Sequence, residues 1–251
     1  MCMKNSFGKK KKNKDGIAAA VNEKKVYAVA VDGPGGAGKS TVAKAVAAKL
    51  GISYVDTGAI YRTVGYAARR AGIAPDDSAA VAAMLKNVTV EAKFENGKQF
   101  MYLDGENLGE KIRENEISAY ASKVSAIPEV REFLLEMQRK IARENSVIMD
   151  GRDIGTVILP DAEVKIFLTA SPEKRAMRRV LELHERGQQA DFNQILAEIN
   201  ERDYRDSHRE IAPLKPADDS VFLDNSDLDL DGTVDAVLAI IAGKVPGVTE
   251  K

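Results

Sequence analysis

Apolar positions along this 251-residue chain follow two rhythms. Short, nearly continuous apolar runs fill 26–31, 52–55, 146–150, 164–168 and 221–223. The first alternates too little for a half-exposed strand and ends in Asp32-Gly33, as a buried strand of a parallel sheet does. Between the runs lie stretches with helical character. One spans 40–50 and is closed by Gly51. Another spans 59–71, entered through the turn Asp56-Thr57-Gly58 and stopped by Gly72 and Pro75. A long charged stretch follows the cap-like pair Ser171-Pro172 and breaks at Gly187, and two more cover 193–207 and 233–242. Strands alternating with helices predict an α/β fold, a doubly wound parallel sheet with helices on both faces.

The rhythm changes in the middle of the chain. Residues 76–86 read as a helix, while 88–94 and 99–103 read as strands. These two flank Glu95-Asn96-Gly97-Lys98, a hairpin signal, and Asp104-Gly105 marks another turn just beyond. Helical stretches follow at 114–125 and 128–144. This section is α+β and interrupts the alternating pattern as an insertion would.

Composition is that of an ordinary globular chain, with 44% apolar and 30% charged residues. The net charge of −1 is unevenly placed: residues 1–24 hold seven lysines against Asp15 and Glu23, which leaves −6 on the rest. A mildly acidic body argues against nucleic-acid binding and sets 1–24 apart as a basic flexible tail. A single cysteine, Cys2, allows no internal disulfide and fits a reducing compartment. No uncharged apolar run approaches the roughly 20 residues of a membrane-spanning helix. The apolar stretch after the first lysines covers only 17–21, shorter than the about 7–15 residues of a signal core. The expectation is a cytoplasmic protein without a nucleic-acid or membrane partner, with monomer as the default state.

The chemistry starts at Gly33-Pro34-Gly35-Gly36-Ala37-Gly38-Lys39-Ser40, which fits G-x-x-x-x-G-K-[ST] at every fixed position, with Thr41 following. A buried strand enters this P-loop and a helix leaves it, so loop amides and the helix N-terminus face an anion together. Lys39 can reach the β- and γ-phosphates of ATP, and Ser40 can place its hydroxyl on Mg²⁺. Such a loop names the phosphoryl donor and leaves the acceptor open. No Asn-Lys-x-Asp follows a strand, which disfavours a guanine switch, and no Leu-Ser-Gly-Gly-Gln occurs, which disfavours a transporter ATPase. His184 and His208 sit in no catalytic triad pattern.

The run 146–150 delivers Asp150 at the end of a strand, where it can support the metal; the alternative is a strand-ending turn residue. Arg152 follows directly, at the end of the sheet where ligands bind, and a guanidinium there can hold a phosphate by a bidentate pair. Arg62 follows the second strand in a similar way. Arg202, Asp206 and Arg209 fall at i, i+4 and i+7 on one helix face, and Arg175, Arg178 and Arg179 cluster before Gly187. Over an ATP site the second cluster would neutralise the transferred phosphoryl and exclude water. Each cluster also fits a solvated helix held by i,i+4 pairs.

With these residues in view, the chain resembles the bacterial cytidylate kinases, nucleoside monophosphate kinases, from about Tyr27 to Ile241. The blocks that carry the resemblance, beyond the loop, are Asp56-Thr57-Gly58-Ala59-Ile60-Tyr61-Arg62, the segment Ser122 to Arg131, and Asp150-Gly151-Arg152-Asp153-Ile154-Gly155-Thr156. Lys165-Ile166-Phe167-Leu168, 201–209 and Ala212-Pro213-Leu214 add to them. The resemblance implies ATP-dependent phosphorylation of CMP and dCMP. Ser122, Arg131 and Asp153 would read the cytosine edge, Arg62 and Arg152 would hold the acceptor phosphate, and Arg202, Asp206 and Arg209 would contact the ribose and its phosphate. Lys39, Arg152, Arg175 and Arg179 would stabilise the transferring group, with Mg²⁺ on Ser40 and Asp150. It also implies a P-loop core at 25–61 and 146–245, a monophosphate-binding domain at 62–145 with a small antiparallel sheet, and a short lid at 175–192. A kinase for UMP or AMP, or a nucleotide-dependent switch, are the readings that compete with it.

Overall fold

The computed structural model describes residues 26–95 and 97–248, so the lysine-rich segment 1–24, Cys2 and Asn96 of the hairpin lie outside the described residues. In chain order the first elements are β1 (Ala28–Asp32), α1 (Lys39–Leu50), β2 (Ser53–Asp56) and α2 (Thr57–Arg70). The insertion supplies α3 (Ser78–Leu85), β3 (Val90–Glu95), β4 (Lys98–Leu103), β5 (Glu106–Asn107), α4 (Asn115–Val124) and α5 (Pro128–Glu144). The chain then returns through β6 (Val147–Gly151), β7 (Val164–Thr169), α6 (Pro172–Glu185), α7 (Phe192–His208), β8 (Val221–Asp224) and α8 (Leu230–Lys244).

Five strands form one parallel sheet in the order β2-β6-β1-β7-β8. Both faces of this sheet are covered. Val29, Val31, Ile148, Ile166 and Leu168 pack with Val42 and Val46 of α1 and Val237 and Ile241 of α8. The alternate residues Ala28, Ala30, Val147 and Met149 pack with Ile60 and Val64 of α2 and Leu134 of α5. Burial on both sides is why the strands read as continuous apolar runs instead of alternating ones. β1 lies at the centre, and the chain leaves it toward β2 on one side and reaches β7 on the other. The crevice at the strands' C-terminal ends, where open α/β sheets bind ligands, therefore opens beside β1 and β6.

Local chemistry sets the element ends. Asp56 caps α2 by accepting from Ala59 N at 2.8 Å, and Ser171 caps α6 ahead of Pro172. α8 starts three residues before the apolar pattern does, because Asp229 caps it through Gly232 N at 2.8 Å. The turn expected at Asp104-Gly105 is present, both residues having positive φ, and three features beyond it have no counterpart in the sequence reading. After that turn β5 adds a third strand to the small antiparallel sheet β3-β4-β5. A 3-10 turn covers Gly109–Arg113. A π-helical turn covers Ile154–Ile158, and the Asp32 carboxylate holds its start by accepting from Ile154 N and Gly155 N, each at 2.7 Å. Arg139 holds its end through the carbonyls of Val157 and Ile158, each at 3.0 Å. None of the helices among the described residues is long and apolar enough to cross a membrane.

Candidate active site

The phosphate loop joins β1 to α1 at the centre of the crevice. A Cβ at Gly33, where φ is 148°, would lie 1.9 Å from the Leu168 carbonyl oxygen, so the loop leaves the sheet pressed against β7. Lys39 is buried and its Nζ donates to Pro34 O at 2.7 Å, folding the side chain back over the loop. Burial, with repulsion from Arg152 behind it, lowers the pKa of this ammonium well below the usual lysine range. The carboxylates of Asp150 and Asp32 offset this only in part. The Ser40 hydroxyl donates to Asp150 Oδ2 at 2.7 Å, while the Tyr54 hydroxyl donates to Asp150 Oδ1 at 2.9 Å. Hydroxyl and carboxylate oxygens side by side are the donor set that a hard cation takes when phosphates and water complete its shell. Among the described residues no group of three or more His, Cys, Asp or Glu side chains forms an all-protein metal cage. The Ser40 hydroxyl and the Asp150 carboxylate are the residues that could hold such a cation.

Across the cleft, Arg152 Nε donates to Asp206 Oδ2 at 2.9 Å, and Arg202 Nε lies 4.0 Å from the same oxygen. Burial works against ionisation of Asp206, but Arg152 and Arg202 outweigh it and hold the carboxyl below its ordinary range. A Cβ on Gly35 would meet both guanidinium groups at 3.5 Å, so the arginines stand directly over the donor loop. Asp153, 3% exposed, pairs with Arg131 through Oδ2 and with Arg209 through Oδ1 at 3.4 Å. Its carboxyl is raised by burial, against the pull of Arg131 and Arg209. The Arg131 guanidinium also lies 5.7 Å from the centre of the Tyr61 ring. Arg62 Nη2 donates to Asp56 Oδ2 at 3.0 Å, and its buried Nε has no hydrogen-bond partner among the described residues.

The α6 arginines differ among themselves. Arg175 is buried and fully engaged, donating to Ala170 O and Gly35 O at 2.9 Å and to Asp203 Oδ2 at 2.6 Å. Arg178 reaches Asn225, whose amide in turn donates to Ala37 O of the loop at 3.1 Å. Arg179 is half-exposed and, among the described residues, pairs only with Glu182 of its own helix, at 2.8 Å.

One cleft of about 560 Å³ brings nine of these basic residues to five carboxylates, with Tyr54, Asp203 and Asn225 supporting it from behind its lining. That excess of positive charge suits polyanionic ligands on both sides of the loop. A family model described as cytidylate kinase matches residues 29–243.

The chain belongs to the cytidylate kinase family.

Curated cytidylate kinases agree over nearly their whole length. The one from Caldicellulosiruptor bescii is 48% identical over 212 residues, covering 84% of this chain and 94% of that protein. Those from Lactobacillus johnsonii and Streptococcus mutans are 47% identical over 216 residues and 46% over 211, covering 86% and 83% of this chain and 94% and 93% of theirs.

Within this family member, every residue expected to touch the acceptor faces the cleft: Arg62, Ser122, Arg131, Arg152, Asp153, Arg202, Asp206 and Arg209. Lys39, Ser40, Thr41, Asp150, Arg175 and Arg179 face it too, as do Gly35, Gly36 and Gly38. Gly33, Pro34 and Ala37 do not; they are buried behind the loop. One expectation needs correcting. Arg209 does not share a helix face with Arg202 and Asp206, because α7 ends at His208 and Arg209 takes an extended conformation. It reaches the site from the next segment, with Nε on Ala212 O. Sequence reasoning missed the supporting residues Asp32, Tyr54 and Asn225. They lie 96 or more residues from the partners that give them meaning, and no local pattern marks them.

Proposed function

We propose that this chain transfers the γ-phosphoryl group of ATP to the phosphate of CMP and dCMP, giving ADP and the nucleoside diphosphate. The observation that carries the reading is the placement of Arg152 and Arg202 within reach of the phosphate loop while Asp206 anchors both from α7. A loop that only bound nucleotide would need no second cluster of cations facing it. Family membership supports the same reaction, since the relatives are named cytidylate kinases.

In this reading the glycine-rich loop and Lys39 hold the β- and γ-phosphates, with Lys39 exchanging Pro34 O for phosphate oxygen. Ser40 and Asp150 hold Mg²⁺. Bound there with the triphosphate, the ion would supply positive charge to the transferring group. Arg62 and Arg152 hold the acceptor phosphate, and Arg62 Nε supplies a donor that nothing else uses. Arg131, Asp153 and Ser122 meet the cytosine edge, so that a different base leaves a buried charge pair unmatched. Arg202, Asp206 and Arg209 hold the ribose and its phosphate. The acceptor phosphate is already anionic near neutral pH, so the residues need only position two nucleotides in line and neutralise charge. A site rich in arginine, with no histidine or cysteine among the described residues that line it, fits that need.

Residues 175–192, most of α6 and the connection into α7, form the lid in this account, with Arg175 and Arg179 neutralising the group in transit. Residues 25–61 and 146–245 form the core and 62–145 the monophosphate-binding domain. The chain works in the cytoplasm as a monomer on small molecules. ADP release in the presence of different nucleoside monophosphates tests the proposal.

A further inference from the structure

Gln99 sits on β4 of the small antiparallel sheet and does not face the cleft. Its side chain nevertheless grips the main chain of Asp56: Oε1 accepts from Asp56 N at 2.7 Å, and Nε2 donates to Asp56 O at 3.3 Å. β2 is an edge strand of the parallel sheet, and an edge strand presents main-chain groups with no strand beside them. The Gln99 carboxamide answers both groups of one residue, as a neighbouring strand would. A contact of Nε2 with Met101 Sδ at 3.0 Å fixes the orientation of the amide.

We propose that Gln99 is a positioning residue for the acceptor phosphate, holding Asp56 so that Asp56 holds Arg62. The proposal rests on the assignment of Arg62 to that phosphate. Asp56 is both the last residue of β2 and the cap of α2, so its position sets where α2 begins. Its two carboxylate oxygens are divided between the helix and the arginine: Oδ1 accepts from Ala59 N at 2.8 Å and Oδ2 from Arg62 Nη2 at 3.0 Å. The space around the pair is filled, since a Cβ on Gly58 would lie 2.9 Å from Arg62 Nη1 and 3.0 Å from Asp56 Oδ1. A shift of the Asp56 backbone therefore moves the guanidinium, whose free Nε faces no protein partner among the described residues. The antiparallel sheet, none of whose residues lines the cleft, thus acts on the acceptor site through one amide. The residue touches no reacting group, and its whole effect passes through Arg62.

The test is a double-mutant cycle in the full chain, with initial rates at varied CMP and varied ATP. Gln99→Met keeps the length of the side chain and removes both bonds. It raises KM for CMP by about tenfold, the loss of one to two net hydrogen bonds, and leaves KM for ATP within about twofold. Gln99→Glu keeps the bond from Asp56 N but sets a second oxygen against Asp56 O; it also raises KM for CMP and serves if the Met variant fails to fold. In an Arg62→Ala background, Gln99→Met adds no further increase. A lowered melting temperature with KM for CMP unchanged, or an undiminished effect without Arg62, overturns the proposal. If Arg62→Ala alone leaves KM for CMP unchanged, Arg62 leaves the acceptor site and the proposal falls with it. A large Arg62→Ala effect beside a silent Gln99→Met refutes Gln99 only.

Discussion

Arg152 Nε donates to Asp206 Oδ2 at 2.9 Å, joining residues 54 apart in the chain. The bond ties the end of β6 to α7 and sets a guanidinium over the phosphate loop. Arg152→Ala is expected to lower kcat/KM by about a thousandfold or more, the scale of losing an arginine that neutralises a transferring phosphoryl group. The melting temperature should change little, because the loss relieves crowded positive charge as well as a pair. Asp206→Asn, which keeps shape and loses charge, should raise KM for CMP and leave KM for ATP near its starting value. Steady-state kinetics beside thermal unfolding reads both, and near-normal turnover of the Arg152 variant would remove it from the site.

Tyr54 and Ser40 each donate to a different oxygen of Asp150, at 2.9 and 2.7 Å. If Asp150 supports Mg²⁺, Tyr54 holds it in place from outside the cleft lining. Tyr54→Phe is expected to raise the Mg²⁺ concentration for half-maximal activity by about tenfold, as loss of a residue that orients a metal ligand does. Asp150→Asn should raise it further. A Mg²⁺ titration at fixed ATP checks the order, and an unchanged titration in Asp150→Asn contradicts the assignment.

Asp32 makes a prediction about stability. Burial pushes its carboxyl up to about 6 from 3.8, although Gly155 N and Ile154 N both donate to it. A folded pKa above the unfolded one means that the folded state binds the extra proton between those values. The contribution to stability is then full below about 3.8 and is lost as pH rises through about 6, a change on the order of 3 kcal/mol. Asp32→Asn has no such titration. Urea unfolding of both proteins without nucleotide should show native-minus-variant stability falling from pH 4.5 to pH 7, and a rise across that range would contradict the buried-carboxyl account.

Residues that belong to a contiguous pattern were legible in the sequence. Lys39 and Ser40 close a loop motif, and Asp150 and Arg152 follow an apolar run whose end had to lie at the ligand-binding edge of the sheet. The alternation of runs and helices likewise exposes the parallel sheet, because two-sided burial leaves strands without polar positions. Asp32, Tyr54, Gln99 and Asn225 were not legible. Each is a common polar residue whose role comes from partners brought near only by the folded sheet. The π-helical turn was missed for a related reason: it is held at one end by Asp32 and at the other by Arg139, and its own sequence has no helical period. Arg209 shows the opposite error, since a regular spacing suggested a helix face that ends one residue too early.

The central claim is the reaction and its acceptor. It is tested most directly by coupled ADP release with CMP, dCMP, UMP, AMP and GMP in turn, at saturating ATP and Mg²⁺. The account predicts the highest kcat/KM with CMP, turnover with dCMP, and values lower by about a hundredfold for the purine monophosphates, whose edges leave Arg131 and Asp153 unmatched. Preference for AMP would contradict the cytosine assignment, and no monophosphate-dependent turnover at all would contradict the kinase.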